Sequence, residues 1–341
     1  MTDRLNVVIL AAGEGKRMRS KIPKVMHEIL FEPMIRYVIR IAKGINPKKI
    51  VVVLGFGKDE VIDCIKDEDI RICIQEEQKG TAHALLCAEE EVKDGDVLVL
   101  YGDVPLIKEE TLKNFIGFFE KTKDITFLVT KLKDPKGYGR VILKGDSIEK
   151  IVEEKEAISS ELKIKMVNTG VCVIPSFAFP LIRRISNKNK SQEFYLTDIC
   201  LLAKEVGKKV KAFIHHDPLE VLGINTKEDL FFANCVMRER IIKKHLENGV
   251  IIFEKSVTIG PNVSIGKDTK IWGNSLIIGN TTIGERVEIG SFVVIKDSII
   301  EGGAKIGSFV YLDGFKVGRG EKIPNFFSSE GGRPCVGSWA T

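Results

Sequence analysis

At 341 residues the chain is longer than a single hydrophobic core usually spans, so two domains are expected. Its 52 basic and 47 acidic residues leave a net charge of +5 that is spread thinly, which argues against a nucleic-acid-binding face. No apolar run approaches the ~20 residues of a membrane span, and the N-terminus has no basic region followed by a long apolar core. Seven cysteines stand far apart without a C-x-x-C pair, as expected of reduced core thiols in a cytoplasmic protein.

The chain opens on an apolar run from Val7 to Ala12, which reads as a strand buried on both faces. The strand empties into a loop carrying Gly13, Gly15, Lys16, Arg17, Arg19, Lys21 and Lys24. Glycine lets backbone N–H groups approach a ligand closely, and the cations can neutralise several phosphate oxygens, so the loop suits a nucleoside triphosphate. Met18 stands where a dinucleotide fingerprint needs its third glycine, and no G-x-x-x-x-G-K-[ST] occurs. The chain therefore reads as neither a dehydrogenase nor a P-loop protein.

A helix from Pro33 to Lys43 follows, with Ile35, Val38, Ile39 and Ala42 on one face. Ile50–Leu54 reads as a buried strand, Val61–Ile65 as part of a helix and Ile70–Ile74 as a strand, the alternation of a doubly wound, mostly parallel sheet. The segment Q-E-E-Q-K-G-T-A-H leads into a helix opened by Gly80-Thr81 and running to about Glu91. Val97–Tyr101 is another strand, ending in Gly102-Asp103-Val104-Pro105. Ligands bind beyond the carboxyl ends of such strands, so the loops at 12–24, 75–81 and 102–105 should converge. There Asp103 can reach a phosphate-bound cation or simply cap a turn, Gln75 can address a pyrimidine edge, and Thr81 can cap its helix. His27 and His83 lack a paired carboxylate or nucleophile and are expected to be structural.

Beyond Ile125 the pattern becomes antiparallel. Ile125–Thr130 is a strand, Pro135–Gly139 a turn, and Arg140–Leu143 with Ile148–Val152 a hairpin. Asn168-Thr169-Gly170 should open a strand at Val171–Ile174, and Tyr195–Asp198 a helix to Glu205. Gly139, Glu153 and Asn168 lie at element ends, where a pocket for the acceptor would form. Strands at Val210–Ile214 and Glu220–Leu222 lead to Asn225, either a helix N-cap or a polar ligand, and a linking helix runs from Thr226 to Asn248.

Isoleucine then recurs at 259, 265, 271, 277, 283, 289 and 295, a period of six that suits a parallel β-helix of hexapeptide repeats. The register slips by one before Ile300 and again before Val317, giving about three or four coils at three hexads each. The expected organisation is a nucleotide-binding domain at 1–226, a linking helix at 227–249, a β-helix at 250–323 and an irregular tail at 324–341. In that tail Phe326, Phe327 and Trp339 either cap the open end or stand apart.

In L-A-A-G-E-G-K-R-M (10–18), P-K-V-M-H (23–27), Q-E-E-Q-K-G-T-A-H-A (75–84), Y-G-D-V-P-L (101–106), G-Y-G-R (137–140), I-V-E-E-K (151–155), V-N-T-G (167–170), L-T-D-I (196–199) and G-I-N (223–225) the chain resembles the sugar-phosphate nucleotidyltransferases. Among them it is most similar to the bifunctional N-acetylglucosamine-1-phosphate uridylyltransferases. The resemblance implies a Rossmann-like sheet followed by a left-handed β-helix. It implies that Leu10, Ala11, Ala12, Gly13, Gln75, Gly80 and Thr81 hold the uridine, and that Asp103 and Asn225 hold Mg²⁺. It further implies that Gly139, Glu153 and Asn168, beside Tyr101 and Gly102, face the amino sugar, while Arg17 and Lys24 stabilise the charged transition state.

Lys16 stands where many relatives carry threonine, which keeps the loop cationic. The family's β-helix normally continues for roughly another hundred residues with an acetyl-CoA site and a catalytic histidine. Here no histidine follows His245, so acetyl transfer is not expected. The expected reaction joins UTP and N-acetylglucosamine 1-phosphate to give UDP-N-acetylglucosamine and pyrophosphate. The alternatives are another sugar 1-phosphate or dTTP, a non-catalytic nucleotide-sugar sensor, and a hexapeptide acyltransferase. The β-helix implies a homo-oligomer, with a trimer favoured.

Overall fold

The computed structural model describes residues 5–330 and the backbone of residues 333 and 334. Among them the chain forms two compact units. One runs up to His27 and from Pro33 to Leu230; the other takes Glu28–Glu32 and everything from Phe231 onward. The helix Lys227–Glu247 crosses that boundary, and Trp339 lies outside the described residues.

The first unit is built on a nine-stranded sheet in the spatial order Arg71–Ile74, Lys49–Leu54, Leu5–Ala11, Asp96–Tyr101, Met166–Ile174, Ile125–Lys131, Val210–His215, Ser147–Val152 and Arg140–Lys144. The first four strands are parallel to one another. Successive residues of Leu5–Ala11 enter opposite cores, Val7 and Ile9 on one face and Val8 and Leu10 on the other, which is why that stretch is uninterruptedly apolar. Helices Met34–Gly44 and Glu109–Thr122 cover the first face through Ile35, Val38, Leu112 and Phe115, and Thr81–Cys87 and Ile199–Glu205 cover the second.

Met166–Ile174 is the seam of the sheet. It pairs antiparallel with both Asp96–Tyr101 and Ile125–Lys131, and its register shifts between Asn168 and Cys172. The expected strand at Val171–Ile174 thus extends five residues further back, and Asn168-Thr169-Gly170 forms a bulge inside it rather than opening it. The strand expected at Glu220–Leu222 is absent. Pro218 fixes a 3-10 turn there, and the buried Glu220 carboxylate accepts from Lys108 Nζ at 2.6 Å and from the Thr111 hydroxyl, so the segment serves as an anchor. The helix expected to run from Thr81 to about Glu91 is broken at Ala88 into Thr81–Cys87 and Glu89–Val92. Pro33 is the N-cap of Met34–Gly44 and not part of its first turn.

In the second unit the hexads form a parallel β-helix with three faces, consistent with left-handed coiling. Two faces carry five parallel strands each and the third carries four, one coil more than the isoleucine period suggested. The first strand, Ile251–Ile252, precedes the periodic run, and the last parallel one, Ser328–Glu330, places the fully buried Ser329 beside Leu312, so a serine hides the inward position. The coils therefore continue beyond residue 323. At one corner of each coil Asn274, Phe292, Phe309 and Phe326 turn the chain with φ between 57° and 60°. The phenylalanine rings stack along the solenoid at centroid spacings of 5.0 and 5.1 Å.

Candidate active site

Of the three loops expected to converge, those at 12–24 and 102–105 meet at a cluster of four polar side chains, completed by Asn225 and holding no residue of 75–81. Arg17 follows Leu5–Ala11 on a 3-10 turn, Lys24 begins a second one, Asp103 follows Asp96–Tyr101, and Asn225 precedes Lys227–Glu247. The Lys24 ammonium donates to the Asp103 carboxylate and, at 2.7 Å, to Asn225 Oδ1; Arg17 donates to the same amide oxygen at 2.8 Å. Backbone bonds fix this meeting, with Ile224 N donating to Asp103 O at 2.8 Å and Gly102 N to Leu10 O at 2.9 Å.

Asn225 is not the helix cap. Thr226 Oγ1 accepts from Asp229 N at 3.1 Å while Asp229 Oδ2 accepts from Thr226 N and Asn225 N, so a reciprocal cap is complete one residue later. That leaves the Asn225 amide oxygen facing cations. A carboxylate and an amide oxygen that share one ammonium form a hard-oxygen donor pair and fit a small divalent cation. Among the described residues no three His, Cys, Asp or Glu side chains cluster, so such a cation must complete its shell with water and phosphate oxygens.

The glycines divide by role. A Cβ on Gly15, at φ +66°, would come within 2.7 Å of Lys24 Cβ, so this glycine lets the cationic turn fold back on Lys24. Space beside Gly13 is open, leaving its backbone accessible to a ligand. Gly80 has φ +111° and would place a Cβ 2.6 Å from Phe194 O, so it locks the loop at 75–81 against the segment at 194–196. Leu196 N completes that junction by donating to Thr81 Oγ1 at 3.0 Å. Thr81 thus caps no backbone of its own helix, as one sequence reading allowed; it ties two loops together. Gln75 is nearly fully buried, and its amide nitrogen donates to Gly80 O at 3.1 Å and faces His83 Nδ1 at 2.9 Å.

On the other side, Asn168 N donates to Gly139 O at 2.9 Å, and a Cβ on Gly139 would sit 3.4 Å from Glu153 Oε1. Gly139, Glu153 and Asn168 are therefore neighbours. Glu153 Oε1 accepts from the Thr197 hydroxyl at 2.9 Å, and desolvation pushes its carboxyl above the usual range despite that bond. Tyr101 presses its ring on Gly170 and shares a hydrogen bond with Thr81, bridging the two sides, and burial raises its phenol. Gly102 is closed in by Val25 and Ala11, at 2.9 and 3.1 Å from a built Cβ.

Several participants escaped the sequence reading. Gly55 packs on Ala12 O and the Gln78 amide, and Tyr138 accepts from Gly223 N at 3.2 Å. Arg140 is buried, donating to Tyr138 O and, at 3.3 Å, to Glu154 Oε1, and so holds the Gly137–Gly139 turn. Gly55-Phe56-Gly57 after a buried strand was the signal for the first; nothing local marks the others. Of the two histidines, His27 keeps a buried Nε2 without a partner and is driven toward its neutral form by burial and Lys227. The six cysteines among the described residues are free thiols.

Known proteins resemble both parts of the chain. Residues 7–194 match the MobA-like NTP transferase domain family, and residues 262–297 match the bacterial transferase hexapeptide repeats. The Bifunctional protein GlmU of Alkaliphilus oremlandii is 39% identical over 306 residues, covering 89% of this chain and 67% of the relative. That of Thermotoga petrophila is 42% identical over 305 residues, covering 88% and 67%. That of Thermus thermophilus is 36% identical, covering 87% and 66%, so the chain spans about two thirds of the length of these relatives. Solved structures of UDP-glucose pyrophosphorylase, apo and with UDP-glucose, match 70% of this chain and 99% of theirs at a TM-score of 0.56; at 18% identity they speak for the fold alone. With its first unit matched to an NTP transferase domain, its hexads to hexapeptide repeats and most of its length to these relatives, the chain belongs to the GlmU family, as a sugar-phosphate nucleotidyltransferase of the UDP-N-acetylglucosamine pyrophosphorylase type.

Proposed function

We propose that the chain makes UDP-N-acetylglucosamine and pyrophosphate from UTP and N-acetylglucosamine 1-phosphate, with Mg²⁺ as its metal. The observation that carries this reading is the meeting of Arg17, Lys24, Asp103 and Asn225 at the mouth of the glycine turn. Two oxygen donors beside two cations match a metal-bound triphosphate better than any arrangement of acid and base.

A phosphate oxygen of the sugar attacks the α-phosphorus in line. The new P–O bond forms as the bond to the bridging oxygen of pyrophosphate breaks, and that electron pair leaves with pyrophosphate. The nucleophile is already anionic at neutral pH, so no side chain is required to remove a proton. Arg17 and Lys24 donate to the phosphoryl oxygens as charge redistributes, and Asp103 and Asn225 would hold Mg²⁺. When bound, the ion supplies further neutralisation of phosphate charge. Leu10, Ala11, Ala12 and Gly13 offer backbone to the nucleoside beside Gln75, Gly80 and Thr81. Tyr101, Gly102, Gly139, Glu153 and Asn168 orient the sugar, and Thr197 steadies Glu153.

A homotrimer belongs to the same proposal, since hexapeptide-repeat solenoids often associate in threes. No described helix is long and apolar enough to cross a membrane, which accords with the cytoplasmic location we propose. Pyrophosphate release from UTP or dTTP, paired with several sugar 1-phosphates in the presence and absence of Mg²⁺, tests the reading. N-acetylglucosamine 1-phosphate with UTP should be the fastest pair, and no release with any pair would overturn it.

A further inference from the structure

Gln75 is 3% exposed at the end of strand Arg71–Ile74, and three other groups determine which end of its amide is free. The amide nitrogen carries two hydrogens. One lies on the Gly80 carbonyl at 3.1 Å; the other points at His83 Nδ1, 2.9 Å away. A carbonyl oxygen only accepts, so Gly80 disfavours the reversed amide, in which two oxygens would face each other, and the His83 contact adds a second hold on the same orientation. His83 must then be the tautomer with its proton on Nε2, leaving Nδ1 to accept. Gly80 is itself immobile, wedged against Phe194 at φ +111°, and the His83 ring lies with its centroid 6.5 Å from that of Phe194.

We infer that His83 is a positioning residue for base selection: by occupying the second amide hydrogen of Gln75 it leaves only the acceptor, Oε1, to read the nucleotide. An acceptor in that place selects a base with an imide N–H, as in uracil or thymine, and rejects cytosine, whose N3 is itself a lone pair. The histidine never needs to touch the base. Without it, the amide keeps one anchor and can rotate to offer a donor. This inference deepens the proposed nucleotide site and depends on that site being correct.

The test compares kcat/KM for UTP and CTP, with saturating N-acetylglucosamine 1-phosphate, in the wild-type protein and in His83→Ala, His83→Asn and His83→Gln. Asparagine can place its oxygen where Nδ1 stands, whereas glutamine reaches toward Nε2. The wild type should favour UTP strongly, His83→Ala should lose about tenfold or more of that ratio, and His83→Asn should restore most of it where His83→Gln does not. A ratio unchanged in His83→Ala, or equal in the asparagine and glutamine variants, overturns the inference while leaving the enzyme assignment intact. If His83→Ala fails to fold, as judged by its circular dichroism, the asparagine and glutamine pair still decides. Failure of the wild type to release pyrophosphate from UTP would instead remove the proposed reaction itself.

Discussion

The two units bury the same kinds of side chain but use sequence distance in opposite ways. In the sheet unit, groups that touch are far apart in the chain: Arg17 and Asn225 are 208 positions apart, and Lys24 and Asp103 are 79. In the solenoid, ladder partners are separated by one coil, as with Ile277 and Ile295 or Ile289 and Ile306. Long-range convergence can concentrate unlike polar groups at one point, whereas a repeat multiplies like with like. Chemistry therefore belongs to the first unit and regular stacking to the second.

Mutations should separate the two accordingly. Asp103→Ala and Arg17→Ala remove single charges from the converged cluster and should each lower kcat by about 10²–10³, with the circular dichroism spectrum unchanged. Near-normal turnover in both would dissolve the contrast. Ile295→Ala truncates a fully buried coil residue between Ile277 and Leu312 and should destabilise the β-helix by about 2–5 kcal/mol in denaturant titrations. Its pyrophosphate release per folded molecule, measured well below the unfolding midpoint, should stay within about twofold of wild type.

A finer comparison lies within the repeat. A Cβ on Gly266 would stand 2.6 Å from the backbone of the next coil, at Gly284 and Glu285, while one on Gly260 would be 3.4 Å from Ile278. Gly266→Ala should cost about 1–3 kcal/mol and Gly260→Ala less than about 1 kcal/mol by the same titration. Equal losses would mean that coil spacing is softer than the contacts imply.

The smallest effect is expected at Glu153, whose carboxyl is raised by desolvation. A raised carboxyl binds protons more readily in the folded state, so folding is favoured as pH falls through the interval between its unfolded and folded values. Glu153→Gln should therefore raise Tm modestly at pH 7 and raise KM for the sugar phosphate. The Tm advantage should vanish once pH drops below the ordinary carboxyl range, where Glu153 is protonated in both states. A Tm difference independent of pH would refute the desolvation account.

Much of this was legible in the sequence, and what was not has physical reasons. Apolar runs such as Val7–Ala12 and Val97–Tyr101 disclosed the parallel strands because burial on both faces leaves no room for polar residues. The bulge at Asn168 to Gly170 was hidden, because a bulge is a mismatch between two strands and only one of them was in view. Glu220 sits at an inward position among apolar neighbours and mimics a strand; its partners Lys108 and Thr111 lie more than a hundred residues away. Asn225 could be read as either cap or ligand until Thr226 and Asp229 were found to share the capping role. The placement of His83 against Gln75, eight residues apart, depends on a turn whose shape is set by Phe194.

The irregular spacing in the repeat has a meaning of its own. Coil partners 18 residues apart, such as Ser264 and Thr282, give way to partners 17 apart, such as Thr282 and Ile299 or Ile299 and Lys316, without loss of pairing. The missing residue falls at a single edge of the prism, where the turn through Gly279, Asn280 and Thr281 is replaced by Asp297 and Ser298. Insertions and deletions in such a scaffold are thus confined to its vertices: one residue can be trimmed at a vertex and a whole turn of the prism can be gained or dropped, but a change along a flat side would reverse which side chains point inward.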